Sequence, residues 1–408
     1  MFREPLRSLK TLTKKEVGIV ALLFLALVLR FLPLVKEKEK SAAKVAVSGC
    51  HSSSNQVECW DSLIATTLKK ESLDNAFTVF GDLYESEPNF AASCHGFAHS
   101  LGLAAYKDYA AGKDFSLSNK TSYCGYGFYH GFMETLLLST HNPKKAVDFC
   151  NFVGKKLQGQ NNDAYGACFH GIGHGTVDGS NPGTWGDPGA VVKPGLEMCE
   201  KIAGDDKTQF GPLYRCVTGA YNALEILSAN PKYQLSAFRA QPFSFCDEQK
   251  EVYKEACYTN MLPALLANDQ NNFSKIAETI AGISEVGNSY DIRGSVVMSL
   301  FYEFYRVNLN NANFADTGVA LCRSLPSLAH FSCIEGLAGG LMKYGSPGKE
   351  YVKALALCGD KILDINEKDA CYSRLLAILG NWYTASKVVE ICNQAPGDYR
   401  HYCSEKTS

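Results

Sequence analysis

The sequence predicts an all-α protein, a helical-repeat solenoid stapled by disulfides and preceded by a single transmembrane helix. Three observations carry that prediction. Most of the 16 cysteines fall into close pairs at comparable points of a recurring unit. From about Asp61 onward apolar residues recur at helical spacing, and β-branched alternating runs with hairpin turns are missing, so almost no sheet is expected. An apolar stretch over 17–35 stands near the N-terminus, interrupted only by Arg30 and Pro33.

The N-terminal elements follow from charge and length. Nineteen residues of helix at about 1.5 Å each span about 28 Å, one hydrocarbon core. Arg3, Arg7, Lys10, Lys14 and Lys15 precede the stretch, which predicts a cytoplasmic basic tail over 1–16 and a signal anchor over 17–35. Everything after it then lies outside, at a cell surface, in a periplasm or in a secretory lumen, where cysteines oxidise. A cleaved signal peptide and lipidation at Cys50, within Val47-Ser48-Gly49-Cys50, are the alternatives. No small-residue cleavage site adjoins the apolar run, and a charged segment separates it from Cys50, so the uncleaved anchor is preferred. Residues 36–60, polar and small, read as a tether.

Composition bounds the remainder. At 408 residues, 46% hydrophobic and 20% charged, the chain is ordinary for a folded protein. A solenoid grows by adding units, so this length requires no division into globular domains. Residues 1–40 hold 9 basic and 4 acidic groups, leaving 31 basic against 38 acidic after them. A mildly acidic outer part without a Lys/Arg cluster excludes nucleic acid as the expected partner.

The repeats are marked by Cys150/Cys168, Cys199/Cys216, Cys246/Cys257, Cys322/Cys333, Cys358/Cys371 and Cys392/Cys403. Each first cysteine ends an apolar helix-like run; each second one except Cys403 opens another. Helical hairpins bridged across their turns fit that rhythm. Second cysteines step by 48, 41, 76, 38 and 32 residues, from 168 through 216, 257, 333 and 371 to 403. The double step hides a hairpin that lacks both cysteines, with Gly294 standing where the second would be. Joint loss is what pairing predicts. By elimination Cys94 goes with Cys124 and Cys50 with Cys59, although spacing leaves those two connections open. Residues 61–190 are read as N-terminal repeats and 191–408 as C-terminal repeats.

Paired cysteines across hairpins, a period near 40 and the triplet ACY at Ala256–Tyr258 and Ala370–Tyr372 resemble the disulfide-rich Sel1-like repeat proteins, over roughly 140–403. The resemblance implies a right-handed α/α superhelix that binds protein partners on its concave face. It implies no catalysis.

Chemistry concentrates in the N-terminal repeats. His95 and His99, His130 and Glu134, and His170 and His174 each stand four apart, a spacing that puts both members on one helix face. Three adjacent helices bearing such pairs predict a metal site of one or two ions, zinc or iron, with these six residues as ligands. Two ions would resemble the helical carboxylate–histidine centres. Asp178, one turn beyond His174, is a seventh ligand or a base, and Glu134 shares the catalytic role. Gly96, Gly102, Gly125, Gly127, Gly131, Gly171, Gly173 and Gly175 surround the candidates. Each glycine inside a helix costs about 1 kcal/mol against alanine, which calls for close helix approach as the reason. Glycines without histidine in later repeats show that packing is part of it.

The rival readings are a metal-free polar groove and inward histidines that merely bond to backbone and tyrosine. His51, His141, His330 and His401 are expected at the surface. Thr218 and Asn222 continue the polar stripe in the next unit, and Glu335 is expected as a solvated or capping residue. The Gly/Pro-rich loop over 178–195 is expected to hold Trp185 and Asp187 over the site as a lid. Asn119-Lys-Thr and Asn272-Phe-Ser match glycan acceptors. No G-x-S-x-G, phosphate-binding Gly loop, H-E-x-x-H or C-x-x-C occurs. The functions left open are a metal-dependent hydrolase or oxygenase, a non-enzymatic scaffold for protein, peptide or glycan partners, and a metal-capture protein.

Overall fold

A computed structural model describes residues 49–51, 53–113, 115–203, 211–284, 291–309 and 311–403. The expected cytoplasmic tail and the 17–35 anchor lie outside the described residues. No helix among the described ones is long and apolar enough to cross a membrane. The chain divides after Trp60. In the first unit Cys50 is bridged to Cys59 and a helix already begins at Gln56, so the described part of the expected tether is structured.

The described residues form helices and no strand. In chain order they are α1 Gln56–Lys70, α2 Leu73–Ser86, α3 Pro88–Ala110, α4 Gly127–Thr140, α5 Pro143–Leu157, α6 Ala164–Thr176, α7 Pro188–Ala203, α8 Pro212–Ser228, α9 Ser236–Ala240, α10 Pro242–Asp247, α11 Glu251–Asn268, α12 Phe273–Ala281, α13 Ile292–Val307, α14 Phe314–Ser324, α15 Ser327–Tyr344, α16 Glu350–Gly359, α17 Ile365–Ile378 and α18 Ala385–Cys392. Their starts are local chemistry. Proline opens α3, α5, α8 and α10, where its missing N–H costs nothing. Ser72, Asn142, Asn272 and Asp291 cap backbone N–H groups at α2, α5, α12 and α13, and Asp364 with Glu367 forms a capping box on α17.

All sixteen cysteines are paired, and all eight pairs are those the spacing and elimination predict. Six link the first helix of a hairpin to the element after it. They are Cys150 to Cys168, Cys199 to Cys216, Cys246 to Cys257, Cys322 to Cys333, Cys358 to Cys371 and Cys392 to Cys403. The cysteine-free hairpin is α12 and α13, as the double step requires.

The position of the second cysteines differs from the sequence expectation. Cys257, Cys333 and Cys371 do not open their helices. Helices α11, α15 and α17 begin six residues earlier, from 251 to 257, 327 to 333 and 365 to 371. Cys168 and Cys216 likewise lie four residues inside α6 and α8, from 164 to 168 and 212 to 216. The reason is that the opening turns, EVYKEA, SLAHFS and INEKDA, mix polar with apolar residues, so apolar periodicity registers only at the cysteine. Six residues of helix at about 1.5 Å each put the sulfur about 9 Å in from the helix start. The bridges therefore tie the bodies of paired helices, with Cys257, Cys333 and Cys371 fully buried, and do not clip the turns themselves.

Second helices α6, α8, α11, α13, α15 and α17 follow α3 and α4 in one continuous row, each against the next. Glycine sets their spacing. A Cβ on Gly131 would sit 2.0 Å from His99 O, one on Gly171 2.5 Å from Tyr129 O, and one on Gly173 1.9 Å from Cys216 O. Backbones that close leave no room for any side chain.

The row does not stay open. Tyr84 on α2 donates to the carbonyl of Tyr344 at the end of α15, and Tyr126 donates to the carbonyl of Asn381. Asn162 N–H bonds Gly380 O at 2.9 Å, and Ala385 N–H bonds Gly159 O at 3.2 Å. An open superhelix with a free concave face is therefore not what forms: the first and last repeats meet, and the row closes on itself.

Candidate functional site

On α4 two stripes run two residues apart, and at about 100° per residue they face opposite ways. Phe128 and Phe132 enter the apolar core, where Phe132 stacks on Phe149 of α5 at 4.2 Å between ring centres. His130 and Glu134 face the other way, toward α3 and α6. There the six predicted side chains form one cluster. The His130 ring is stacked with His170 at 4.8 Å and with His174 at 4.7 Å, and His95 meets it edge-on at 5.0 Å. His99 lies 6.3 Å from both His130 and His174. Glu134 joins the ends: Oε2 is 3.1 Å from His99 Nε2 and Oε1 is 2.6 Å from His174 Nδ1.

Hydrogen bonds fix two tautomers. His95 Nδ1 is 2.8 Å from Cys124 O, and a carbonyl only accepts, so Nδ1 carries the proton. His170 Nδ1 is 2.8 Å from Thr218 Oγ1, whose own hydrogen goes to Arg215 O at 2.6 Å. Nδ1 must again be the donor. Both rings are thereby left with Nε2 as an unprotonated lone pair, the arrangement that outer hydrogen-bond partners impose on ligand histidines. His174 Nε2 is buried without a hydrogen-bond partner, and Nδ1 also lacks one of good geometry, because the Glu134 oxygen approaches off the N–H line.

Electrostatics keep His95, His130 and His170 deprotonated. Burial pushes His95 down to about 4, and burial with neighbouring imidazoles holds His130 well below the usual histidine range. Burial, then the charges of His174, Arg215 and Lys343, does the same to His170. Burial alone would raise the Glu134 carboxyl, but His174 and His99 outweigh it and hold it at about 2. His95 is nevertheless open to water. His99 and Glu134, with side chains 30% and 26% exposed, also reach solvent.

The metal geometry itself is not preformed. Among the described residues, no three His, Cys, Asp or Glu side chains are already arranged to hold an ion. Glu134 instead occupies the space between His99 and His174.

Other expected site residues lie elsewhere. Helix α6 ends at Thr176, so Asp178 is not one turn on; it is exposed and accepts from Ser180 N–H at 2.9 Å. Trp185 donates to Gly179 O at 3.0 Å and meets Tyr233 edge-on, and Asp187 accepts from Ala190 N–H. That loop packs on the adjacent hairpin and forms no lid. His51, His141 and His401 are exposed as expected, but His330 bonds buried Glu367 at 2.9 Å. Glu335 is half-buried in the middle of α15 and caps nothing. Asn119 is half-buried, bonding Trp382 O at 3.3 Å. Thr218 meets the cluster as the polar stripe predicts, and Asn222 is half-buried one turn beyond. Sequence reasoning missed Arg215 and Lys343, whose charges act on His170. No pattern near either residue announces it.

No known protein family, curated protein or solved structure matches this chain, so the likeness to Sel1-like repeats rests on the cysteine rhythm and the ACY triplets alone.

Proposed function

We propose that this is a membrane-anchored, extracytoplasmic helical-repeat protein whose histidine cluster binds one or two first-row transition ions, zinc or iron, for hydrolytic or oxygenase chemistry. His95, His99, His130, Glu134, His170 and His174 are the ligands. The observation that carries the reading is the convergence of five imidazoles and one carboxylate from three successive helices, with His95 and His170 held Nε2-outward and His174 Nε2 buried and unpartnered.

Ring spacing supports it. Two imidazoles bound at about 2.1 Å to one ion have ring centres about 4.5 to 6.4 Å apart, depending on the angle between the bonds. The cluster's separations run from 4.7 to 6.3 Å. Loading requires side-chain rotation, Glu134 turning away from the His99–His174 contact, with the glycine-spaced backbones left in place. Bound there, a divalent ion supplies a Lewis acid that lowers the pKa of water. Such a site needs access, which the open edges of His99 and Glu134 provide. An extracytoplasmic location of the repeats is supported by the full pairing of the cysteines.

Elemental analysis of the full-length chain, purified without added metal, tests the reading. About one or two ions per chain are expected, lost in His130→Ala and His174→Ala. Far less than one ion per chain in the parent protein overturns it. The scaffold reading is disfavoured by closure of the row, which turns the would-be concave face inward.

A further inference from the structure

We propose that closure of the row positions the ligand His95: the turn over 124–126 carries the meeting of the first and last repeats to its imidazole. Tyr126 and Tyr84 are then positioning residues for the histidine cluster. This deepens the metal reading by naming what regulates the site, and it rests on that reading only for the effect on affinity; the coupling itself stands on the geometry of the turn.

Just before α4 three consecutive residues have positive φ: Cys124 at 56°, Gly125 at 67° and Tyr126 at 65°. Glycine adopts such angles freely, but Cys124 and Tyr126 bear side chains for which they are uncommon. A backbone of that kind persists only where its surroundings over-determine it. On one side those surroundings are the site. Cys124 is bridged to Cys94, the residue before His95, and Cys124 O accepts from His95 Nδ1 at 2.8 Å. His95 Nδ1 also lies 3.6 Å from where a Gly125 Cβ would be and 3.2 Å from where a Gly127 Cβ would be. The turn therefore wraps one edge of the ring.

On the other side they are the closing contacts. The Tyr126 hydroxyl donates to Asn381 O and lies 2.9 Å from Asn161 Oδ1, and its ring centre is 6.0 Å from that of Trp382. Lys343, in the last turn of α15, places its carbonyl oxygen and its Cγ each 3.7 Å from the same Gly125 point. The next residue, Tyr344, is the one whose carbonyl Tyr84 of α2 holds. Two routes from the last repeats thus end on neighbouring residues of one strained turn, and the carbonyl that sets the His95 tautomer lies in it. With the row open, the bridge to Cys94 would still tether Cys124 but would not fix the direction of its carbonyl. His95 would then lose the acceptor that keeps Nε2 free for a metal.

Heteronuclear NMR of the full-length protein, isotope-labelled at histidine, tests this without metal, the His95 signals being those absent in His95→Gln. The parent is expected to show His95 protonated at Nδ1 alone. Tyr126→Phe and Tyr84→Phe keep both rings. Each should bring in an Nε2–H fraction, the form a neutral imidazole prefers when unheld, and the double variant a larger one. Zinc affinity, read by competitive chelator titration, should fall about threefold in each and about tenfold in the pair. Tyr221→Phe, which removes a buried bond to Gln249 away from the closure, should change neither. Should the pair fail to fold, the single variants decide. An Nε2–H His95 in the parent, a tautomer unshifted in the Tyr126 and Tyr84 variants, or zinc affinity unchanged where the tautomer does shift overturns the proposal. A parent that binds no zinc but whose tautomer shifts in the variants ends the metal reading and leaves the coupling standing. Zinc held by the cluster in variants with an unshifted tautomer does the reverse.

Discussion

Gly131 and Gly96 form a matched pair. A Cβ on Gly131 would lie 2.0 Å from His99 O, the carbonyl of a neighbouring helix, whereas one on Gly96 meets nothing within 4 Å. An ordinary carbon–oxygen contact is about 3.3 Å, so Gly131→Ala forces α3 and α4 apart by about 1.3 Å. Overpacking of this kind costs about 3 kcal/mol where only backbone can give, and alanine returns about 1 kcal/mol of helix propensity. The net expectation is a loss of about 2 kcal/mol for Gly131→Ala and a gain of up to about 1 kcal/mol for Gly96→Ala. Urea unfolding followed by circular dichroism reads the difference as opposite shifts in midpoint at unchanged slope. Metal content should fall in Gly131→Ala, because the displaced helices carry His99 and His130, and hold in Gly96→Ala. Equal stability of the two variants would refute the claim that glycine sets the spacing of the site.

Glu350 carries a pH dependence. Burial raises its carboxyl, bonds from the Tyr383 hydroxyl and the Gly348 N–H partly offset this, and it stands at about 7 against 4.5 in the unfolded chain. A raised carboxyl contributes stability that is full below about pH 4.5 and is lost as pH rises through about 7. Glu350→Gln should therefore gain up to about 3 kcal/mol on the native protein between pH 5 and pH 8, measured by denaturant unfolding at both; a pH-independent difference would contradict it. Thr218→Val removes the acceptor that fixes the His170 tautomer and should weaken metal affinity about 10- to 100-fold in a competitive chelator titration; unchanged affinity would remove His170 from the ligand set. Replacing Cys150 and Cys168 together by serine should cost about 2–5 kcal/mol of stability, and an unaltered unfolding midpoint would show the staple to be dispensable.

How much was legible follows from separation along the chain. Each disulfide spans 9 to 30 residues, and each ligand pair spans four, so both leave a local mark. Pairing was legible where helix starts were not: Cys257, Cys333 and Cys371 have their predicted partners, yet each lies well inside its helix, whose opening turns mix polar with apolar residues and so carry no clear apolar period. The glycines that are costly inside a helix proved to be contact points, because their cost has no local compensation. Asp178 shows the limit of extending a period: His174 fits the helical count, but α6 stops at Thr176 before the glycine- and proline-rich loop, and periodicity ends with the helix.

From the sequence alone come the all-helical repeats, the cysteine pairs and the six clustered side chains, because each depends on neighbours within a few tens of residues. Closure of the row was decided only in the tertiary structure, through contacts such as Tyr84 to Tyr344 and Tyr126 to Asn381, 260 and 255 residues apart. The same closure carries Lys343 to the histidines. Which surfaces meet over such distances depends on small rotations summed over every intervening hairpin, and no local pattern records that sum.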